Sequence, residues 1–418
     1  MLDRRTFLTR TLQGSSLLAL GGVVPQFLAN TARAAEVGKD SILVVVEMSG
    51  GNDGLNTVIP YADDIYQKAR PTLRFTKDKV IKVDDYIGLH PAMKSFGTML
   101  QNQSLAIVQG IGYPNPDRSH FESMDVWQSG DPLRKVGTGW IGRSTTDLQD
   151  KKGNVPVVQL GPNRLPLALQ GSSAGVVSIN NEQAYILDMG KGDAERKNAR
   201  RKLIQDLAEP TGKADDMLQF IQRRQLQTYS TLDRLRDVLK EDKAVKKNPQ
   251  DAPQAPQTPL TQKMALIARL IAKGFGTRVF YVMIDGFDTH SGQAEDQQRL
   301  LADVSDSISF LFTKLKETGH DKRVLAMTFS EFGRRVHENG SKGTDHGAAS
   351  CLFVAGPAVK SGAINKHPSM KDLDAGDLKH HTDFRQLYAT LLDQWLGVDS
   401  KTVLGAKFDH LELLRGKT

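Results

Sequence analysis

Arg278-Val279-Phe280-Tyr281-Val282-Met283-Ile284-Asp285-Gly286-Phe287-Asp288-Thr289-His290 holds an apolar run, a turn and several acid and imidazole groups in one segment. The run 278–284 is short, apolar and β-branched, as a buried strand is. A helical pattern follows over 293–316. Strand candidates of the same kind recur at 42–46, 105–109, 155–160, 324–329 and 351–355. Helical patterns at 93–100, 260–271 and 384–396 fall between most of them. Strands alternating with helices predict an α/β fold with a mainly parallel sheet covered by helices on both faces. Ligands of such sheets bind at the carboxyl ends of the strands, so the rim where Asp285, Asp288 and His290 follow their strand is the expected site.

The start of the chain sets its compartment. Asp3-Arg4-Arg5-Thr6-Phe7-Leu8 is a twin-arginine signal, followed by a modest apolar stretch at 17–28 and by Ala32-Arg33-Ala34, a small-x-small cleavage site. Residues 1–34 are therefore expected to be a signal peptide, because the apolar stretch is short of the roughly 20 residues of a membrane span. The twin-arginine translocase is the expected partner in transit, and the destination is periplasmic or extracellular. The whole chain is formally +7, and the leader holds four arginines and one aspartate, so the mature part carries about +4. That balance gives no case for nucleic acid. Cys351 is the only cysteine, which excludes an intrachain disulfide.

Residues 35–418 read as a single domain carrying a helical insertion and connector at about 194–259. Leu218, Ile221, Leu232, Leu235 and Leu239 recur there at three- and four-residue steps, and a Pro/Gln tract at 248–259 follows. Arg196, Lys197, Arg200, Arg201 and Lys202 read as a solvated helix face. The insertion is the surface on which a protein partner is expected.

Three apolar strands run into an acid: Glu47, Asp285 and Glu331. Acids at the ends of parallel strands share one rim and can hold a cation, or each can cap the turn that follows. Asp288 and His290, at i and i+2 of an extended loop, point to the same side and can share an ion. Thr344-Asp345-His346-Gly347 adds a second acid–imidazole pair before the strand at 351–355. Carboxylate and imidazole donors together suit a divalent metal, with zinc first and manganese, calcium or magnesium behind it. Ser119 sits where Asn115-Pro116-Asp117-Arg118-Ser119-His120-Phe121 opens a helix, at free N–H groups that favour an anion. It serves either as a hydroxyl nucleophile with Arg118 binding the anion, or as an N-cap with Glu122 closing a capping box. In Gly50-Gly51-Asn52-Asp53-Gly54, Asp53 is a candidate ligand and Asn52 a candidate oxyanion donor; both are also ordinary turn formers.

Six segments in order, Gly50-Gly51-Asn52-Asp53-Gly54-Leu55-Asn56, Leu89-His90-Pro91-Ala92, Arg118-Ser119-His120-Phe121, Gly286-Phe287-Asp288-Thr289-His290, Ser330-Glu331-Phe332-Gly333-Arg334 and Gly343-Thr344-Asp345-His346-Gly347, resemble the DUF1501 family along nearly the whole mature chain. That family is grouped with the alkaline phosphatase-like superfamily. The resemblance implies an alkaline phosphatase-like core, a serine nucleophile at a helix start and two metal ions. It implies Ser119 as nucleophile, Asp53, Asp345 and His346 as ligands of one ion, and Asp288 and His290 with His381 for the other. The chain departs from the superfamily pattern in having Glu47 and Glu331 at the strand ends, with Asp53 and Asp345 further along, so the expected ion count is one or two. The expected function is an exported, metal-dependent hydrolase of phosphate or sulfate esters, acting on a small anionic ester or glycan. The alternative is a non-catalytic periplasmic binding protein on the same fold.

Overall fold

The computed structural model describes residues 40–149, 154–161, 164–172, 175–179 and 258–416. The export signal, the helical insertion with its basic cluster and most of the connector lie outside the described residues.

Among the described residues, nine strands make the central sheet. They are β1 (Ile42–Ser49), β2 (Leu105–Gly112), β3 (Val157–Leu160), β4 (Val176–Ile179), β5 (Val279–Asp285), β6 (Val324–Phe329), β7 (Ser350–Ala355), β8 (Gly362–Ile364) and β9 (Thr382–Asp383). Their order is β8-β2-β7-β6-β1-β5-β3-β4, with β9 also pairing β2. Every pairing is parallel except the two made by β7. Among the described residues, helices covering the sheet include α1 (Lys94–Gln101), α2 (His120–Ser129), α3 (Trp140–Leu148), α4 (Pro259–Ala272), α5 (Gln293–Glu317) and α6 (Phe384–Thr390).

The two-residue period of β1 divides the core. Ile42, Val44, Val46 and Met48 pack with α1, α4 and α5, while Leu43 and Val45 pack with α2, α3 and α6. Each fully buried aliphatic side chain of this kind contributes about 1.5–3 kcal/mol. Cys351 packs against the first of these cores. Among the described residues, no helix is long and apolar enough to cross a membrane.

Two local expectations change. The helix expected over 384–396 divides, because α6 ends at Thr390 and Leu391–Leu396 winds as a π-helix. Thr390 donates its hydroxyl back to the Gln386 carbonyl at 2.7 Å and accepts the Leu411 amide, a side-chain bond that competes with the helix ladder.

Glu47 does not stand at the rim. β1 runs on to Ser49, so position 47 falls in line with Leu43 and Val45 and points into the second core. There Tyr281 and Gln128 donate to its Oε2. Burial raises the Glu47 carboxyl from 4.5 to about 7, against those two hydrogen bonds. A folded-state pKa above the unfolded one stabilises the fold at low pH, and that stabilisation is lost as pH rises from about 4.5 through about 7. Urea unfolding of wild type and Glu47→Gln should therefore diverge across this window, with wild type losing about 3 kcal/mol relative to the variant. Parallel pH profiles would show that Glu47 does not titrate there.

Strands β1, β2, β5 and β6 all end on one rim. β7 runs the other way, so it begins on that rim. The loop between β6 and β7 leaves the rim and returns to it, carrying Glu331 and Arg334 at its start and Asp345 and His346 at its end.

Candidate metal centre

Four segments converge at the rim: the loop after β5 with Asp288 and His290, the turn after β6 with Glu331 and Arg334, the return into β7 with Asp345 and His346, and the first residue of α2, His120. Asp288 is the hub. Its Oδ1 lies 3.1 Å from His290 Nε2 and 3.2 Å from His346 Nε2, and its Oδ2 lies 3.3 Å from His120 Nε2. The Nε2 atoms of His290 and His346 are 2.8 Å apart. Donor atoms spaced in this way fit around an ion held at about 2.0–2.2 Å from each. Ligand atoms of His120, Asp288 and His346 all lie within 4.8 Å of one another.

The opposite nitrogens of the three rings explain why these face inward. His346 Nδ1 donates to the Arg118 carbonyl at 2.7 Å. His120 Nδ1 is 2.9 Å from Glu331 Oε1, and His290 Nδ1 is 3.5 Å from Asp345 Oδ1. An imidazole that gives its Nδ1 proton to an outer acceptor presents a lone pair at Nε2, the form a metal takes.

Partial burial raises the Asp288 carboxyl, but the hydrogen bond from Arg334, with the His346 and His120 rings close by, outweighs it and brings it down to about 2. Burial lowers His346. The hydrogen bond to Glu331 raises His120 against its burial. Burial raises Glu331, yet bonds from His120 and the backbone prevail and hold it below its ordinary value. Asp345 is lowered first by its hydrogen bond from Asn339.

Arg334 assembles the loops. Its buried guanidinium donates to the carbonyls of Gly50, Gly51, Phe287 and Thr344 and to Asp288 Oδ1, tying together the ends of β1 and β5 and the return to β7. Gly50 makes the approach possible: it sits at φ +117°, and a Cβ there would lie 2.4 Å from the Asp288 amide nitrogen.

Of the residues expected from sequence, the structure brings together Asp288, His290, Asp345, His346 and Glu331, with Ser119 between Arg118 and His120. Ser119 is the N-cap of α2, but its side chain makes no cap hydrogen bond. The capping box is not formed; Glu122 pairs with Arg134. Arg118 contributes its carbonyl to the centre, while its guanidinium binds Asp377.

Four expected residues lie elsewhere. Asp53 is fully buried and binds Arg70 at 2.5 Å and Gln293 at 2.5 Å, so both of its oxygens are taken inside the protein. Asn52 turns its amide to Thr57, because the loop after β1 folds its polar side chains inward. Asp285 is exposed and accepts the Gly286 amide as an ordinary turn acid. His381 packs beside Gly110 of β2, between Thr382 and the Lys366 carbonyl, on the far side of β7 from β6. His120 and Arg334 carry no role legible from the sequence, although both sit inside its motifs. The spacing between His120 and Asp288 carries no signal, since only the fold brings α2 over the loop after β5.

The family described as "Protein of unknown function (DUF1501)" matches residues 40–414. No curated protein matches the chain. Among solved structures, the chain is similar to the PsFucS1 sulfatase from Pseudoalteromonas sp. at 12% identity and a TM-score of 0.39, over 91% of this chain and 72% of that one. It is similar to a protein in the alkaline phosphatase superfamily from Vibrio parahaemolyticus at 11% identity and a TM-score of 0.39, over 88% and 70%. The C-terminal periplasmic domain of EcEptC from Escherichia coli aligns at 9% identity and a TM-score of 0.37, over 88% and 87%.

Proposed function

We propose that this chain, which belongs to the DUF1501 family, is an exported hydrolase of phosphate or sulfate esters built around one divalent ion. The observation that carries the reading is the convergence of three imidazole Nε2 atoms on the Asp288 carboxylate, with Ser119 next to His120 in the chain. Three imidazoles and one carboxylate form a donor set suited to zinc. His120, Asp288, His290 and His346 would hold the ion, which supplies Lewis acidity and charge neutralisation at the transferring group. Ser119, at the amino end of α2 with its hydroxyl free of capping, is the nucleophile. Glu331, Asp345 and the Arg118 carbonyl orient the rings, and Arg334 fixes the carboxylate.

A second reading, a non-catalytic binding protein, is favoured by one observation. Four protein donors fill a tetrahedral shell, whereas catalytic zinc commonly keeps a position open.

Elemental analysis of the mature protein tests the centre. About one equivalent of zinc per chain is expected. Chelation should remove turnover of an aryl phosphate or aryl sulfate, and zinc should restore it. Asp288→Asn should weaken the metal more than about 100-fold, beyond the roughly 10–100-fold that loss of an outer partner costs. No stoichiometric metal after refilling would overturn the centre, and metal without ester turnover would favour the binding protein.

A further inference from the structure

We propose that Asp377 is a positioning residue that holds Arg118 and Arg335 as a two-arginine clamp for an anionic group of the substrate. This rests on the oxyanion-ester reading above. Asp377 lies in the hairpin of Leu373–Asp374 and Asp377–Leu378, away in sequence from both arginines. Its side chain is only 4% exposed. Oδ2 accepts from Arg118 Nε at 2.9 Å and Nη2 at 2.6 Å, a two-donor grip on one oxygen. Oδ1 is buried without a hydrogen-bond partner, and Arg335 Nε stands 3.8 Å away from it.

Both arginines are rooted in the metal centre by their backbones. The Arg118 carbonyl accepts from His346 Nδ1, and the Arg335 amide donates to the Asp345 carbonyl at 3.0 Å. Their side chains remain 41% and 38% exposed. A planar guanidinium presents paired donors to a tetrahedral oxyanion. A surface ion pair needs no buried carboxylate with an unmatched oxygen; a pair of arginines held ready for an anion explains why one is there.

Titration of inorganic phosphate into the zinc-loaded full chain by calorimetry tests the clamp. Asp377→Asn is expected to bind phosphate about 10-fold more weakly, the effect of losing a charge-assisted bond. Its zinc equivalents and unfolding temperature should stay at the wild-type values, and Asp377→Glu should recover part of the affinity. Arg335→Gln, a surface change, should weaken phosphate as well. Equal phosphate affinity in wild type and Asp377→Asn would overturn the clamp and leave the hydrolase reading standing. Weakened phosphate accompanied by lost zinc or a lowered unfolding temperature would also overturn it, because the role would then be structural. Wild type that binds neither phosphate nor sulfate would overturn the clamp and the hydrolase reading together.

Discussion

Ser119→Ala is expected to lower turnover of an aryl phosphate or aryl sulfate by about three orders of magnitude or more, the scale on which nucleophile deletions act. The hydroxyl makes no capping bond to α2, so its removal orphans no buried partner. Stability should therefore stay within about 0.5 kcal/mol of wild type. Zinc content should also hold, because the ligand His120 on one side and the Arg118 carbonyl that orients His346 on the other are untouched. The measurement is kcat on purified protein matched for zinc and for unfolding midpoint. Full activity in the variant would remove Ser119 from the chemistry and leave a metal-bound water as the attacking group to test.

Asp53→Ala should be the most destabilising of the changes considered, at about 3–5 kcal/mol, the range for breaking a buried ion pair from one side. Both members of the Asp53–Arg70 pair are fully buried. Arg70 keeps bonds to the carbonyls of Val336 and Arg335 and to Asn56, but its charge loses its carboxylate partner. Gln293, which bridges Asp53 to Thr344, loses an acceptor as well. Denaturant unfolding measures the loss, and zinc per folded molecule should be unchanged. Zinc lost from folded protein would return Asp53 to the ligand set. A destabilisation under about 1 kcal/mol would mean that Arg70 is satisfied without it.

Asp53 shows why a motif can be legible and its role not. Gly50-Gly51-Asn52-Asp53-Gly54 stands after a strand, as a ligand loop does, yet Arg70 and Gln293 reach Asp53 first. The competitor for a carboxylate is whichever cation the fold delivers, and sequence separation does not reveal it. Glu331 and Glu47 diverge for a related reason. Glu331 follows its strand and meets His120, whereas Glu47 lies inside a strand that runs three residues beyond the apolar run at 42–46, on the face of the second core.

The sequence by itself determined the fold class, six of the nine described strands of the sheet and the loops that carry Asp288, His290, Asp345 and His346. Those features are local: apolar runs of strand length, helical periods between them and polar clusters at their ends arise within a few residues of chain. Only the tertiary structure decided that His120 and Arg334 complete the centre, that Asp53 and His381 do not, and that Asp288 rather than any other acid is the hub. Those outcomes depend on contacts across the sheet. The reversed β7 returns Asp345 and His346 to the rim, and α2 lays His120 over Asp288, placements fixed by the packing of two cores rather than by any spacing along the chain.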